Sequence, residues 1–152
     1  MLKFNLITLF PQLIEPHLKE LPFKRAIEKE AIDVNLINLR DYALDKYGTV
    51  DDRPYGGGVG MLLRVEPIHQ ALKEIPEKKT IILLSPKGEK FTQQKARELS
   101  KKSNITFISG RYEGVDARVE DYVTDIISVG DYVLSGGELP ALIIMESITR
   151  LL

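Results

Sequence analysis

Three glycine-bearing turns carry the residues of this sequence that are best placed to do chemistry. They are 84–88 (Leu-Ser-Pro-Lys-Gly), 109–114 (Ser-Gly-Arg-Tyr-Glu-Gly) and 128–137 (Ser-Val-Gly-Asp-Tyr-Val-Leu-Ser-Gly-Gly), and each follows an apolar run. Glycine lets a ligand approach the backbone closely, so such turns can offer it main-chain N–H groups. Taken alone, each motif is explained equally well as a plain tight turn. If the preceding strands are parallel, however, the turns meet at one sheet edge and can form one pocket.

Familiar nucleotide and hydrolase signatures are absent. The run 56–61 lacks the last glycine of a dinucleotide-binding fingerprint, no P-loop occurs, and Val133 stands where a nucleophile elbow needs glycine. What remains is main chain plus a few polar side chains, namely Arg111, Tyr112, Glu113, Asp131, Tyr132, Glu138 and Arg150. Such a set suits a ligand with a purine edge and an amino-acid part, because backbone amides can bind ring nitrogens and Glu113 an ammonium. The reaction most compatible with this set needs no nucleophilic side chain, only two substrates held in line. Such orientation can by itself lower the activation barrier by ~7–11 kcal/mol.

Composition excludes several classes of protein. There is no cysteine, which excludes disulfides and thiolate catalysis, and the two histidines, His17 and His69, lack the spacing of a zinc site, so no metal site is predicted. The net charge of −1 gives no basic field for nucleic acid. No segment resembles a leader or a membrane span, so a cytoplasmic location is expected.

Hydrophobic periodicity predicts strands over 2–9, 33–39, 80–84, 104–109 and 125–128, and helices over 23–31, 65–75, 92–102, 115–123 and 139–152. This alternation indicates an α/β fold with a mostly parallel sheet flanked by helices. The segment 40–60 has no periodicity, and we interpret it as a loop that closes over a ligand, with a flexible excursion as the alternative. The last helix is apolar nearly all round, which indicates burial or packing on a second subunit. It stops without a glycine cap, so we expect the chain to be part of a longer one.

Four motifs make the sequence recognisable. The runs 51–58 (Asp-Asp-Arg-Pro-Tyr-Gly-Gly-Gly), 84–86, 110–114 and 130–140 resemble, in order and spacing, those of the bacterial tRNA (guanine-N1-)-methyltransferases, the TrmD family. The resemblance implies one SPOUT-class domain over 1–152 with a C-terminal trefoil knot, although topology rules alone argue against a knot. It also implies a homodimer, S-adenosylmethionine as methyl donor, magnesium assistance, and methylation of N1 of the guanine 3′ of the anticodon in tRNA.

The resemblance also implies roles for individual residues. By matching position, the S-adenosylmethionine pocket would comprise Leu84, Ser85, Pro86, Gly110, Tyr112, Glu113, Val129, Gly130, Asp131, Tyr132, Val133, Leu134, Gly136, Gly137 and Pro140. Asp51, Gly58 and Gly60 would border the guanine. Arg150 resembles the catalytic arginine, whose role would be to stabilise negative charge that develops on guanine O6.

One departure from the family pattern limits what we expect of this chain. The family's general base is an aspartate in a linker beyond the last helix, and the 152 residues include neither this linker nor the C-terminal tRNA-binding domain that follows it. Loss of a general base costs ~10²–10⁴-fold in rate. We therefore expect the chain to bind S-adenosylmethionine, to bind tRNA weakly and to transfer methyl poorly. Two alternatives are a cofactor-binding and dimerisation module without catalysis of its own, and an unrelated purine-nucleotide-binding α/β protein.

Overall fold

The computed structural model describes residues 1–54, 56–58, 60–77, 80–111 and 113–152. The strands are β1 (Leu2–Thr8), β2 (Ile32–Asn38), β3 (Asp51–Asp52), β4 (Leu62–Leu63), β5 (Ile81–Lys90), β6 (Asn104–Ser109) and β7 (Asp125–Ser128). The α-helices are α1 (Glu15–Leu18), α2 (Phe23–Glu28), α3 (Val65–Lys73), α4 (Gln93–Leu99) and α5 (Glu138–Thr149), and 3₁₀ turns cover Pro11–Leu13, Leu39–Tyr42 and Ala117–Tyr122. Among the described residues, no helix is long and apolar enough to cross a bilayer.

Five strands form one parallel sheet in the order β2-β1-β6-β5-β7. Side chains alternate between its faces, so Phe4 and Phe107 point into one buried cluster and Ile7 and Ile108 into the other. Helices α2, α4 and α5 cover the first face, and α3 covers the second. The prediction of a mostly parallel sheet between helices is therefore confirmed.

Asparagine side chains fix the register of β1 against its two neighbouring strands. Asn5 donates from Nδ2 to Asn104 Oδ1 at 2.8 Å, and Asn35 Nδ2 donates to Asn5 Oδ1 at 3.2 Å across the β1–β2 pair. A shift of one residue would break both bonds and turn the apolar side chains of the strand to the wrong face.

Some predicted boundaries need correction. Strand β5 does not end at residue 84 but continues to Lys90, and both Leu84 and Glu89 pair with Ile127, so the predicted turn 85–88 is a bulge within the strand. The predicted helix 115–123 is a 3₁₀ turn, and α5 begins at Glu138 with its proline in the first turn, where the missing N–H costs nothing. The segment 40–60 contains a 3₁₀ turn and β3, which pairs with β4.

Candidate functional site

The three glycine-bearing turns meet around one cavity at the carboxyl edge of the sheet. Its volume is about 360 Å³, within the usual range for small-molecule sites. The predicted pocket residues that line it are Leu84, Ser85, Pro86, Gly110, Glu113, Val129, Gly130, Tyr132, Val133, Leu134, Gly136, Gly137 and Pro140. The geometric prediction that parallel strands would bring the turns together is confirmed, whereas binding of the cofactor stays a prediction.

Among the described residues, one predicted pocket residue, Asp131, is not part of this lining. Asp131 is exposed, and its carboxylate forms an ion pair with Lys90. Tyr112 lies outside the described residues. The bulge of β5 supplies one wall of the cavity, because Ser85, Pro86 and Lys87 all belong to it.

Glu113 joins the cavity to the segment 60–64. Its backbone N–H donates to Met61 O at 3.1 Å, and Leu63 N donates to Gly114 O at 3.0 Å. A Cβ at Gly60, which has a φ of +92°, would lie 2.3 Å from Glu113 Cγ. This glycine is therefore needed for the close approach of the two segments.

The predicted guanine-site residues are placed differently from one another. Gly60 packs on the pocket residue Glu113, whereas Asp51 lies in β3 opposite Leu63. Gly58 is exposed, and a Cβ there would meet only Pro54. Gly60 is therefore the predicted guanine-site residue for which the structure describes a contact with the cavity lining.

Arg150 is exposed at the C-terminal end of α5 and does not line the cavity. Pro140, in the first turn of the same helix, does line it. At 1.5 Å per residue, the intervening helix separates the two by about 15 Å. The structure therefore does not bring Arg150 to the cavity of its own chain, and its catalytic role stays a prediction.

Two of the polar side chains that the sequence singled out, Arg111 and Glu138, form an ion pair with each other that was not predicted. Glu138 is 2% exposed and accepts a hydrogen bond from Arg111 Nε at 3.1 Å. Arg111 also lines the cavity. The sequence carries no local signal for the pairing, because the two residues are 27 positions apart.

A second cavity, of about 570 Å³, lies between β3, β4 and the segment 116–118. Two of its three arginines have acidic partners, because Arg64 pairs with Asp52 at 3.3 Å and Arg118 with Asp116 at 2.7 Å, and the lining contains three acidic side chains in all. The hydrogen bond from Arg118 holds the pKa of Asp116 below its usual value, against the effect of burial. Balanced charge makes this cavity a poor anion site.

Metal ligands are not assembled in the part of the chain that is described. No group of three or more His, Asp or Glu side chains there could hold a metal ion. Magnesium is usually bound through one or two carboxylates together with water and substrate oxygens, so its assistance stays a prediction.

A parallel α/β sheet with a glycine-lined cavity at its carboxyl edge defines a small-molecule-binding domain of the α/β class. The model of one family, described as tRNA (Guanine-1)-methyltransferase TrmD, matches residues 2–152. The chain therefore belongs to the TrmD family.

Individual relatives agree with this assignment. A tRNA (guanine-N(1)-)-methyltransferase of Mycoplasmopsis agalactiae is 51% identical over 152 residues, which cover 99% of this chain and 67% of the relative. The protein of that name from Bacillus pumilus is 47% identical, and the match covers 99% of this chain and 64% of the relative. The crystal structure of tRNA (m1G37) methyltransferase from Aquifex aeolicus superposes with a TM-score of 0.92 at 43% identity, covering 99% of this chain and 70% of that one. The chain thus spans about two thirds of the length of these relatives.

The close match to the Aquifex structure also confirms the predicted α/β fold. The trefoil knot stays a prediction.

Proposed function

We propose that this domain is the S-adenosylmethionine site of a tRNA (guanine-N1-)-methyltransferase. The observation that carries the proposal is the convergence of the three turns on one cavity, which all of the predicted pocket residues that the structure describes line, except Asp131. Family membership supports the same ligand, since the relatives are named as methyltransferases. Because tRNA is the proposed substrate, we expect the protein to act in the cytoplasm.

The residues of the cavity fit such a ligand chemically. Backbone groups of Gly110, Val129, Gly130 and 132–134 would bind the purine edge, and the apolar side chains of Leu84 and Pro86 would contact the ring. The carboxylate of Glu113 would bind the ammonium of the methionine part. When bound, the cofactor supplies an electrophilic methyl group on its sulfonium.

Methyl transfer forms the bond from guanine N1 to the methyl carbon and breaks the bond from that carbon to sulfur. The N1 proton must leave to a base, and we assign no described residue to that task. Arg150 would stabilise charge on guanine O6. Magnesium assistance enters no step here, because the described side chains do not form a cage for the ion.

A second copy of this chain would bring further residues to the cavity. Leu139 and Ile143, one turn apart on α5, are 57% and 45% exposed, and Val133 on the cavity rim is 85% exposed. Such apolar surface is typical of an interface. We therefore propose a homodimer that covers this face and carries Arg150 to a partner's cavity. Sedimentation velocity tests it, and a monomer at working concentrations contradicts it.

Calorimetric titration with S-adenosylmethionine and, separately, with ATP tests the donor site. We expect binding of S-adenosylmethionine, and a chain that prefers ATP contradicts the proposal. Glu113→Gln should weaken binding by about tenfold, because it removes the ionic partner of the ammonium. Asp121→Asn removes the same charge at an exposed position outside the cavity lining, and should bind like the unaltered chain.

A further inference from the structure

Four residues beside the cavity form a closed ring of contacts. Thr8 Oγ1 accepts the N–H of Phe10 at 3.0 Å and donates to Glu138 Oε1 at 2.7 Å. Glu138 Oε2 accepts from Arg111 Nε at 3.1 Å. The ring closes where the guanidinium carbon of Arg111 lies 4.5 Å from the centroid of the Phe10 ring, a cation–π contact.

The ring is buried, so each of its polar contacts matters. Thr8 is fully buried, Glu138 is 2% exposed and the Arg111 side chain is 18% exposed. Removing either Arg111 or Glu138 would leave the charge of the remaining side chain in a site from which water is largely excluded. That side chain would have to move to reach a new partner. The ring therefore holds its members in one arrangement.

These members belong to three separate segments. Thr8 ends β1 and Phe10 follows it, Arg111 follows β6, and Glu138 begins α5 directly after the third turn. The backbone repeats the connection, because Gly137 N donates to Gly110 O at 2.9 Å and Arg111 forms an antiparallel bridge with Gly136. The second and third turns of the cavity are thus fastened to each other and to β1.

Gly136 leaves room for the ion pair. A Cβ at this position would lie 2.4 Å from Arg111 Nε and 2.5 Å from Glu138 Oε2. The glycine at 136 is therefore required by the protein's own side chains, in addition to any contact with a ligand.

We propose that Thr8, Arg111 and Glu138 are positioning residues, which hold the turns 110–114 and 129–137 at the separation that the methyl donor needs. The proposal rests on the proposed function, because it assigns the ring a role in binding of S-adenosylmethionine. The ring acts through the turns: it sets where Gly110 and Gly136 lie, and these line the cavity.

Calorimetric titration of two variants with S-adenosylmethionine tests the role. Glu138→Gln keeps the shape of the side chain but leaves Arg111 without its charge partner, and should weaken binding by about tenfold or more. Thr8→Val removes one hydrogen bond with little change of shape, and should weaken binding by about fivefold. In Arg111→Gln/Glu138→Gln no uncompensated charge remains, so this double variant should recover part of the affinity lost in Glu138→Gln.

Thr149→Val is the matched control for Thr8→Val. Thr149 is also buried, and its hydroxyl donates to Met145 O at 2.7 Å within α5, away from the cavity. The control should lower the melting temperature without changing the affinity. If Glu138→Gln and Thr8→Val likewise lose stability but bind within about twofold of the unaltered chain, the ring is merely structural and the proposal is wrong.

Amide hydrogen exchange in the ligand-free protein separates this proposal from the proposed function. In Glu138→Gln, exchange of the Gly137 N–H should accelerate, whereas the amides at the end of α5 should not change. Unchanged exchange at Gly137 contradicts the ring's positioning role even if S-adenosylmethionine binds. If exchange of the Gly137 N–H does accelerate in Glu138→Gln but the unaltered chain does not bind S-adenosylmethionine, the proposed function is contradicted instead.

Discussion

The strands β2, β1 and β6, which we term the regular half of the sheet, differ in construction from β5 and β7, the open half. In the regular half, the β1–β2 register continues without interruption from Leu2 opposite Ile32 to Thr8 opposite Asn38. In the open half, Leu84 and Glu89 both pair with Ile127, and the four residues between them bulge out. The regular half carries the buried bond between Asn5 and Asn104, and the open half supplies the strand residues that line the cavity, among them Leu84 and Ile127.

This difference indicates how one sheet can combine stability with a binding site. Uninterrupted pairing on both sides, as in β1, satisfies the backbone groups of a strand internally and leaves none for a ligand. A bulge frees backbone groups and redirects the chain, and such irregularities are common beside functional sites. Affinity should therefore respond to changes in the open half and at the carboxyl end of β1, where Thr8 joins the ring, and stability alone to changes elsewhere in the regular half.

The largest effect is expected from Gly88→Ala in the open half. A Cβ at Gly88 would lie 2.5 Å from the backbone of Ile126, so β5 and β7 would have to separate. We expect a loss of about 2–3 kcal/mol in the free energy of unfolding, together with weaker binding of S-adenosylmethionine, because the bulge is displaced. Urea denaturation and calorimetric titration measure the two effects. Gly58→Ala, where a Cβ meets only Pro54 at 3.4 Å, is the matched control and should change little.

The corresponding change in the regular half is Asn5→Ala. It leaves the Asn104 side chain without its partner and should cost about 1–2 kcal/mol of unfolding free energy. Because Asn5 does not line the cavity and makes no contact within the ring, the affinity for S-adenosylmethionine should stay that of the unaltered chain. If Asn5→Ala weakens binding as much as Gly88→Ala does, the two halves are not separable.

Strands such as β6 and β7 could be predicted from the sequence because the signals for them are local. The apolar runs of β6 and β7 are bounded by turn residues, and the predicted ranges 104–109 and 125–128 are confirmed. The continuation of β5 beyond Pro86 could not be predicted, since it depends on pairing with β7. The same holds for the site, where the turns are local motifs but the partners of Glu138 lie 27 and 130 residues away in sequence.

The smallest effect concerns the ion pair that fastens α4 to the open half. Lys95 Nζ donates to Asp125 Oδ1 at 2.9 Å. Burial acts to raise the pKa of Asp125, but the hydrogen bonds from Lys95 and Thr124 outweigh it and lower that pKa. The hydrogen bond to Asp125 in turn raises the pKa of Lys95. Both shifts favour the charged pair at neutral pH.

The sign of the pH dependence follows from the lowered pKa of Asp125. Its carboxylate contributes stability above the unfolded pKa of about 3.9, and this contribution disappears as pH falls through the folded value. Asp125→Asn should therefore be less stable than the unaltered chain by about 1 kcal/mol at pH 7, and the difference should vanish in acid. Unfolding free energies from pH 7 down to pH 2.5 measure it.

Lys90 and Asp131 form the control pair, with side chains 63% and 75% exposed, so Asp131→Asn should show no such pH-dependent difference. Equal effects of the two substitutions would mean that burial of the Lys95–Asp125 pair contributes nothing to holding α4 on β7.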